Sequence, residues 1–248
     1  MKKIIFIFFL FLFCAFCAFA LSLEEISKLN QNTVVTINVL RNDGKTASGT
    51  GFVISPQGFV ATAAHTLDKA HLVNLTFSSG AISEEAQIIA INQNPKIDLA
   101  IIQVPVNYVP CVTFKNSNTV QAGQEIAVIG SPKRLQNTIT NGLISQLRNI
   151  SNVTVFQISA PISPSSSGSP IFNKEGQVIG IALSSLEEPN VQNINFAIPS
   201  NYLLQMMKEN DITPQLAKGK EPNKVQKYFQ DIIEHLKKCW SIFKSKFA

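Results

Sequence analysis

Histidine is scarce in this sequence, which contains only three among its 248 residues: His65, His71 and His235. The chain also lacks paired histidines, a Cys-x-x-Cys motif, acids clustered at metal-ligand spacing and a glycine-rich phosphate loop. We therefore predict neither a metal site nor a cofactor. His71 and His235 are interpreted as structural or solvent-exposed, whereas His65 ends a strand-like segment of small residues and is the candidate general base.

Cysteine is also rare, and two of the four cysteines, Cys14 and Cys17, lie in the N-terminal apolar segment. The other two, Cys111 and Cys239, are too few for a disulfide framework of the kind that stabilises small secreted domains. A single bridge between them is compatible with an oxidising compartment, and the sequence leaves that pairing open.

The long apolar run at the N-terminus extends from Ile4 to Leu21, follows two lysines and ends in small residues. This pattern is typical of a secretory signal peptide over residues 1–20, cleaved after Ala20, and it predicts a periplasmic or secreted protein. The alternative is an uncleaved inner-membrane anchor, because a run of this length is at the lower limit of what spans a bilayer.

The formal net charge is +5, and the segment from Pro214 onward accounts for all of it, with eight lysines against three acids. The remainder is neutral, which argues against nucleic acid as a partner. Residues 211–248 are predicted to form a basic amphipathic helical tail. Two interpretations stay open: the tail docks on the folded domain or on another subunit of a homo-oligomer, or it lies on an anionic membrane surface. Its apolar positions are Val225, Phe229, Ile232, Leu236, Trp240, Phe243 and Phe247.

Between Thr33 and Ser200 the chain consists of short β-rich runs separated by Gly, Pro, Asn and Ser turns. Strands do not alternate with helices, so an α/β scaffold is disfavoured and an all-β barrel or sandwich is predicted. Short helices are expected only near the ends of this region. Ser22 with Glu25 is typical of a capping box that opens the first, and residues 200–210 form the second.

Three segments in order suggest a catalytic triad: Thr62-Ala63-Ala64-His65, Asp98-Leu99-Ala100 and the serine-rich stretch around Ser167-Gly168. A serine hydroxyl becomes nucleophilic when a neutral imidazole accepts its proton, and a carboxylate fixes the imidazole tautomer. Asp98 opens a strongly apolar run, where a partly buried carboxylate needs a partner. We predict Ser167 as nucleophile, His65 as base and Asp98 as the residue that orients His65.

The match extends beyond these residues, and between Thr46 and Ser200 the chain resembles the HtrA/Deg group of trypsin-like serine proteases. The resemblance implies two six-stranded antiparallel β-barrels, at about 30–106 and 110–200 within a protease domain over 21–210, with their boundary near 106–110. His65 and Asp98 would belong to the first barrel and Ser167 to the second. Six segments in matching order carry the resemblance: 48–65, 98–104, 126–132, 140–145, 176–181 and 196–200.

The nucleophile motif departs from the family pattern, because Ser165 and Ser169 replace two glycines. The resemblance implies that the backbone N–H groups of Ser165 and Ser167 form the oxyanion hole. Glycine is favoured where unusual dihedral angles are required, so a serine at 165 is expected to disfavour the active orientation of that peptide. Losing one such donor lowers the rate by about a hundred- to a thousandfold.

The resemblance also suggests a primary specificity pocket. Pro161, six residues before the nucleophile, would lie at its base, with Ile162 beside it and the segment Ile181-Ala182-Leu183 on its wall. No carboxylate is present among these residues to bind Lys or Arg. We expect cleavage after small or medium aliphatic side chains.

Taken with the resemblance, the residues predict a serine endopeptidase that acts through an acyl-enzyme on polypeptides, with unfolded envelope proteins as the implied substrates. Typical members of the group carry a PDZ domain after the protease, and the residues after Asn210 are too few for one, so PDZ-mediated peptide sensing is not expected. One rival hypothesis is a binding scaffold or chaperone with a catalytically weak or inactive protease fold. Another is a membrane-associated interaction module driven by the tail.

Overall fold

The computed structural model describes residues 20–83, 85–131, 137–185 and 194–217. The predicted signal peptide, apart from Ala20, and the predicted tail from residue 218 onward lie outside these residues. Within the described ranges, no helix is long and apolar enough to cross a membrane.

Two sheets and two short helices make up the described chain. The helices are α1 (Leu23–Asn30) and α2 (Ser200–Glu209). The strands are β1 (Val34–Arg41), β2 (Thr46–Ser55), β3 (Phe59–Ala63), β4 (Ala70–Phe77), β5 (Ile82–Ser83), β6 (Gln87–Ile91), β7 (Leu99–Gln103), β8 (Thr113–Phe114), β9 (Glu125–Gly130), β10 (Thr138–Ile150), β11 (Val153–Ile158), β12 (Pro170–Phe172), β13 (Val178–Ser185), β14 (Asn195–Pro199) and β15 (Gln215–Leu216).

The first sheet is antiparallel and has the order β5-β4-β1-β2-β3-β7-β6. Its strands form because β-branched and aromatic residues recur where the chain is half or fully buried, as in β1. Four pairs of strands are consecutive in sequence, namely β1–β2, β2–β3, β4–β5 and β6–β7. In addition, β3 pairs with β7 so that Ala63 faces Leu99. This register places the end of β3 beside the start of β7, where His65 and Asp98 are found.

The second sheet closes into a barrel. Its order is β12-β9-β10-β11-β14-β13, and β12 also pairs with β13. The two-residue strands β8 and β15 extend it in parallel register. The predicted all-β double barrel is confirmed, with two differences in the described chain: the first sheet is open and has seven strands, and the second has β8 and β15 beyond the six that close.

Both predicted helices are present. The Ser22 hydroxyl accepts a hydrogen bond from the Glu25 backbone N–H at 3.2 Å, and Glu25 Oε2 accepts one from the Ser22 N–H at 2.8 Å. This reciprocal pair is the predicted capping box, and it lowers the pKa of the Glu25 carboxyl because the ionised form is the better acceptor. Helix α2 packs Leu203, Met206 and Met207 into the core.

The folded unit extends past Asn210, the expected end of the domain, and includes Leu216. Ile212 is buried in the core, and Gln215 and Leu216 pair with β8. The Cys111 thiol donates a hydrogen bond to the Gln215 side-chain oxygen at 3.3 Å, and burial raises the pKa of this thiol. Residues 104–112, which join β7 to β8, include the expected boundary between the barrels and contain no strand.

A pair of buried aromatic rings links the two sheets. Phe52 of β2 and Phe114 of β8 are almost fully buried, with ring centroids 6.5 Å apart at an interplanar angle of 54°. Tilted aromatic pairs at this distance attract one another in addition to the burial of their apolar area. The pair therefore stabilises the contact between the two sheets.

We expect Phe52→Ala to lower the free energy of unfolding by about 3–5 kcal/mol, because it leaves a large cavity in the core. Tyr108, an aromatic residue that is 96% exposed, provides the matched control, and Tyr108→Ala is expected to have little effect. Urea denaturation followed by circular dichroism measures both. Equal losses in the two variants would contradict the role given to Phe52.

Candidate active site

His65 lies directly after β3, in a 3-10 helix over Ala64–Leu67. Its ring Nδ1 is 2.6 Å from Asp98 Oδ2, and its backbone N–H donates to Asp98 Oδ1 at 2.8 Å. Both carboxylate oxygens therefore contact the same residue, which fixes the ring orientation. Because Nδ1 carries the proton shared with Asp98, the other ring nitrogen, Nε2, is free to accept one.

Asp98 occupies the left-handed region of backbone conformation, with φ of +48°. Its carbonyl accepts a hydrogen bond from the Ala64 N–H at 3.0 Å, which extends the pairing of β3 with β7 by one step. Aspartate and asparagine enter this region more readily than other side chains that carry a Cβ. The turn directs the carboxylate toward His65 rather than along the strand.

The hydrogen bond to Asp98 raises the pKa of His65 above the usual value of 6.5. Partial burial acts in the opposite direction, the negative charge of Asp98 adds to the increase, and the positive charge of Arg41 opposes it. The His65 side chain is 52% exposed and that of Asp98 21% exposed. The imidazole is therefore open to solvent on one side while its partner is largely covered.

The nucleophile segment begins with a turn that the hydrogen bonds define. The Ser166 N–H donates to the Ser163 carbonyl at 2.9 Å, and Ser165 has φ of +71°. Pro164 cannot adopt positive φ, so this combination is a type II turn with proline and serine at its centre. In a type I turn, by comparison, the peptide plane between Pro164 and Ser165 would be rotated by about 180°.

A second turn follows immediately and contains Ser167. The Ser169 N–H donates to the Ser166 carbonyl at 3.1 Å, and Gly168 has φ of +88°. A Cβ on Gly168 would also lie 2.6 Å from Thr62 Oγ1 and 2.8 Å from the Ala63 nitrogen. Glycine is required here both by its dihedral angle and by its contact with β3.

Ser167 is half-buried, and its backbone is fixed to the first sheet. Its carbonyl accepts a hydrogen bond from the Thr50 N–H at 3.1 Å, while the Gly168 N–H donates to the Ala182 carbonyl at 2.8 Å. Within the described residues, Ser167 Oγ makes no hydrogen bond. Contacts between a catalytic hydroxyl and its base often tighten only when substrate is bound.

Ser165 adopts a conformation that the sequence predicts a serine to disfavour, at a cost on the order of 1–3 kcal/mol. Two hydrogen bonds anchor it to β2. Its hydroxyl lies 3.0 Å from Ser48 Oγ, and its carbonyl accepts from Thr50 Oγ1 at 2.9 Å. Each such bond contributes about 0.5–1.5 kcal/mol net, so anchoring and strain are of similar size.

The backbone N–H groups of Ser165 and Ser167 have no acceptor among the described residues. Two nearby amides without internal partners, in a turn with exposed Ser163 and Pro164 before it, are suited to bind an anionic oxygen. No group of three or more His, Cys, Asp or Glu residues that could hold a metal occurs in the described ranges.

Within the described ranges, the residues predicted for the specificity pocket divide between a small cavity and the core. Pro161 and Ile162 line a space of about 20 Å³ together with Ser163, Ser166 and residues of β9 and β10. Ile181 and Ala182 are fully buried in the core, and Leu183 is half-buried against it. Strand β13 contacts the nucleophile segment through its backbone, since the Ala182 N–H donates to the Ser169 carbonyl at 2.9 Å.

Ser48 and Thr50 contact the nucleophile segment but have no predicted role in the sequence analysis. The signal for them is their alternation with Gly49 and Gly51 in β2, within the hairpin that leads to His65. Side chains two residues apart point to the same face of a strand. Both hydroxyls therefore face the residues of the second sheet that contact β2.

Asp98→Asn is expected to lower the pKa of His65, because it removes the charge and one of the two acceptor oxygens that favour the imidazolium while keeping a side chain that tolerates positive φ. Asp211→Asn is the matched control, since Asp211 also has positive φ but does not act on His65. NMR titration of the His65 ring proton measures the shift. An unchanged pKa in Asp98→Asn would exclude the pairing.

Comparison with known proteins agrees with this geometry. The profile of the trypsin-like peptidase domain matches residues 49–181. The chain is 37% identical over 158 residues to a probable periplasmic serine endoprotease DegP-like of Chlamydia muridarum, covering 61% of this chain and 31% of that protein. It is 34% identical over 196 residues to serine protease HTRA1B of Danio rerio, covering 75% and 39%. The chain thus spans only about a third of the length of these relatives.

Solved structures have the same fold. The serine endoprotease from Yersinia pestis superposes with a TM-score of 0.67 at 26% identity, covering 76% of this chain and 66% of that one. The HtrA-type protease AlgW, solved with a decapeptide, superposes with a TM-score of 0.68 at 22% identity, covering 77% and 68%. The chain therefore belongs to the trypsin-like peptidase family, and its relatives are HtrA and DegP proteins.

Proposed function

We propose that this protein is a serine endopeptidase that hydrolyses peptide bonds through an acyl-enzyme. The single observation that carries the proposal is the contact of both Asp98 carboxylate oxygens with His65, at 2.6 and 2.8 Å, beside the turn that contains Ser167. A carboxylate that holds an imidazole in one tautomer makes its second nitrogen available as a base.

In the proposed mechanism, Ser167 Oγ attacks the substrate carbonyl carbon while its proton passes to His65 Nε2. The carbonyl π electrons move to oxygen, and the N–H groups of Ser165 and Ser167 bind the resulting oxyanion. Collapse of the tetrahedral intermediate breaks the C–N bond, and His65 returns the proton to the leaving amine. Water, deprotonated by His65, then hydrolyses the Ser167 ester by the same sequence of steps.

The base must be neutral at the start of each step, so the raised pKa of His65 defines the active pH range. Below that pKa the imidazolium cannot accept the Ser167 proton, and activity falls. Because Asp98 stabilises the imidazolium, the acid limit of activity lies above pH 6.5 rather than at the value of a free imidazole.

We assign polypeptides as the substrates and the periplasm, or another extracytoplasmic space, as the location. Support comes from the curated relative in Chlamydia muridarum, which is named a periplasmic endoprotease, and from AlgW, which was solved with a peptide. A function in the quality control of unfolded envelope proteins follows from the resemblance. The proposal that an amphipathic tail docks on a second subunit or on a membrane surface is based on the sequence after Pro222.

Ser165 is the observation that favours a second candidate, an inactive scaffold that binds polypeptides without cleaving them. The conformation of this residue is costly for a serine, and Ser167 Oγ makes no hydrogen bond to His65. Both candidates bind extended polypeptide, but only the peptidase contains an activated hydroxyl. Reaction with a fluorophosphonate separates the two, since an unactivated serine does not react.

Ser167→Ala is expected to abolish casein cleavage and fluorophosphonate labelling, lowering turnover by at least about a thousandfold, because no other group supplies the nucleophile. Ser166→Ala removes the neighbouring hydroxyl, which makes no hydrogen bond to a described residue, and is expected to keep both activities. Thermal unfolding verifies that each variant is folded. Labelling of Ser167→Ala at the wild-type rate would refute the assignment, and an unlabelled wild-type protein would favour the scaffold.

We expect cleavage after Val, Ala or Ile in a peptide library, because the cavity beside Pro161 and Ile162 is small and its described lining contains no carboxylate. Pro161→Asp is expected to raise cleavage after Lys relative to Val by at least about tenfold, since an unpaired carboxylate in a pocket favours a cation. Pro110→Asp, on the exposed connection between the sheets, serves as the control. A wild-type profile dominated by Arg or Lys would contradict this specificity.

A further inference from the structure

Thr50 has an unusual set of hydrogen bonds for a residue whose described partners do not include His65 or Asp98. It is fully buried in β2, and its carbonyl accepts a hydrogen bond from Thr62 Oγ1 at 2.8 Å. Its N–H donates to the Ser167 carbonyl at 3.1 Å, and its hydroxyl donates to the Ser165 carbonyl at 2.9 Å. One residue therefore connects the strand that ends before His65 with both residues of the candidate oxyanion hole.

The Thr50 hydroxyl both donates and accepts a hydrogen bond. It donates to Ser165 and accepts from the Ser131 N–H at 3.0 Å, at the end of β9. A valine has the same shape but makes neither bond, and it would leave the part-buried Ser165 carbonyl and the buried Ser131 N–H without these partners. The hydroxyl thus has a role that packing alone cannot supply.

The position of the Ser165 nitrogen depends on how the side chain and the carbonyl of the same residue are held. Ser48 anchors the Ser165 side chain at 3.0 Å, and Thr50 anchors the Ser165 carbonyl. Because the nitrogen, Cβ and carbonyl carbon have fixed bond angles at Cα, hydrogen bonds that restrict the side chain and the carbonyl also restrict where the nitrogen can lie. The donor nitrogen of the hole is therefore located by side chains of the first sheet.

We propose that Thr50 is a positioning residue for catalysis, assisted by Ser48, and that its hydroxyl sets the place of the oxyanion hole relative to His65. The inference rests on the proposed function and adds to it. The hole and the nucleophile belong to the second sheet and the base to the first, so their separation depends on bonds between the sheets. Displacements of about 1 Å in an active site lower rates by about a hundredfold.

Thr50→Val is the test, with Thr36→Val as the matched control. Thr36 pairs directly with Thr50 across β1 and β2, is also buried, and its Oγ1 has no hydrogen-bond partner among the described residues. We expect Thr50→Val to lower kcat on a peptide substrate by about ten- to a hundredfold, with KM changed less than about threefold. Thr36→Val is expected to leave both constants near wild type.

Thr50→Ser keeps the hydroxyl and is expected to retain kcat within about threefold of wild type, which a role limited to packing of the threonine methyl would not predict. If Thr50→Val does not fold in thermal unfolding, Ser48→Ala provides the measurement. It removes one anchor of Ser165, and we expect it to lower kcat by about two- to tenfold, as for loss of one hydrogen bond.

The outcomes separate this inference from the proposed function. A wild-type protein without Ser167-dependent cleavage overturns the proposed function and the inference with it. If wild type cleaves and Thr50→Val keeps kcat within threefold, only the inference fails. It also fails if Thr36→Val loses as much kcat as Thr50→Val, if KM rises instead of kcat falling, or, where Ser48→Ala is the measurement, if that variant is unchanged.

Discussion

The hydrogen bond between the Thr50 N–H and the Ser167 carbonyl joins two sheets whose described strands do not pair with each other. The proposed reaction needs a base from one sheet and a nucleophile from the other within about 3 Å. Gly168 permits this approach because its missing side chain leaves room for Thr62 and Ala63. The ring pair of Phe52 and Phe114 adds apolar contact to the same junction.

The residues with strained backbone conformations lie beside the residues that carry the proposed nucleophile and base. Asp98 and Ser165 both have positive φ, while His65 and Ser167 do not. In each case the strained residue directs a group of its own toward the site, the carboxylate of Asp98 and the backbone N–H of Ser165. Such strain persists where several contacts of the surrounding structure hold the same conformation. Here the hydrogen bond from Ala64 holds Asp98, and those with Ser48 and Thr50 hold Ser165.

Local patterns in the sequence predict the features that depend on local chemistry. The capping box of Ser22 and Glu25 is visible because its members are three residues apart, and the two-barrel fold follows from the short strands together with the family resemblance. The partners of Ser48 and Thr50 lie 117 and 115 residues away. The alternation with glycine marks the two positions, but it does not reveal which residues they bind. Nor does a local pattern reveal β8 and β15, two-residue strands whose parallel pairing brings together distant parts of the chain.

The left-handed backbone at Asp98 restricts mutational tolerance in a way that the chemistry alone would not. A glutamate retains a carboxylate, but its longer side chain reaches a different place, and it enters positive φ less readily than aspartate. An asparagine fits the backbone but has no charge. The positive φ therefore disfavours glutamate, and the reaction disfavours asparagine. Each of these two conservative substitutions loses either the backbone conformation or the charge.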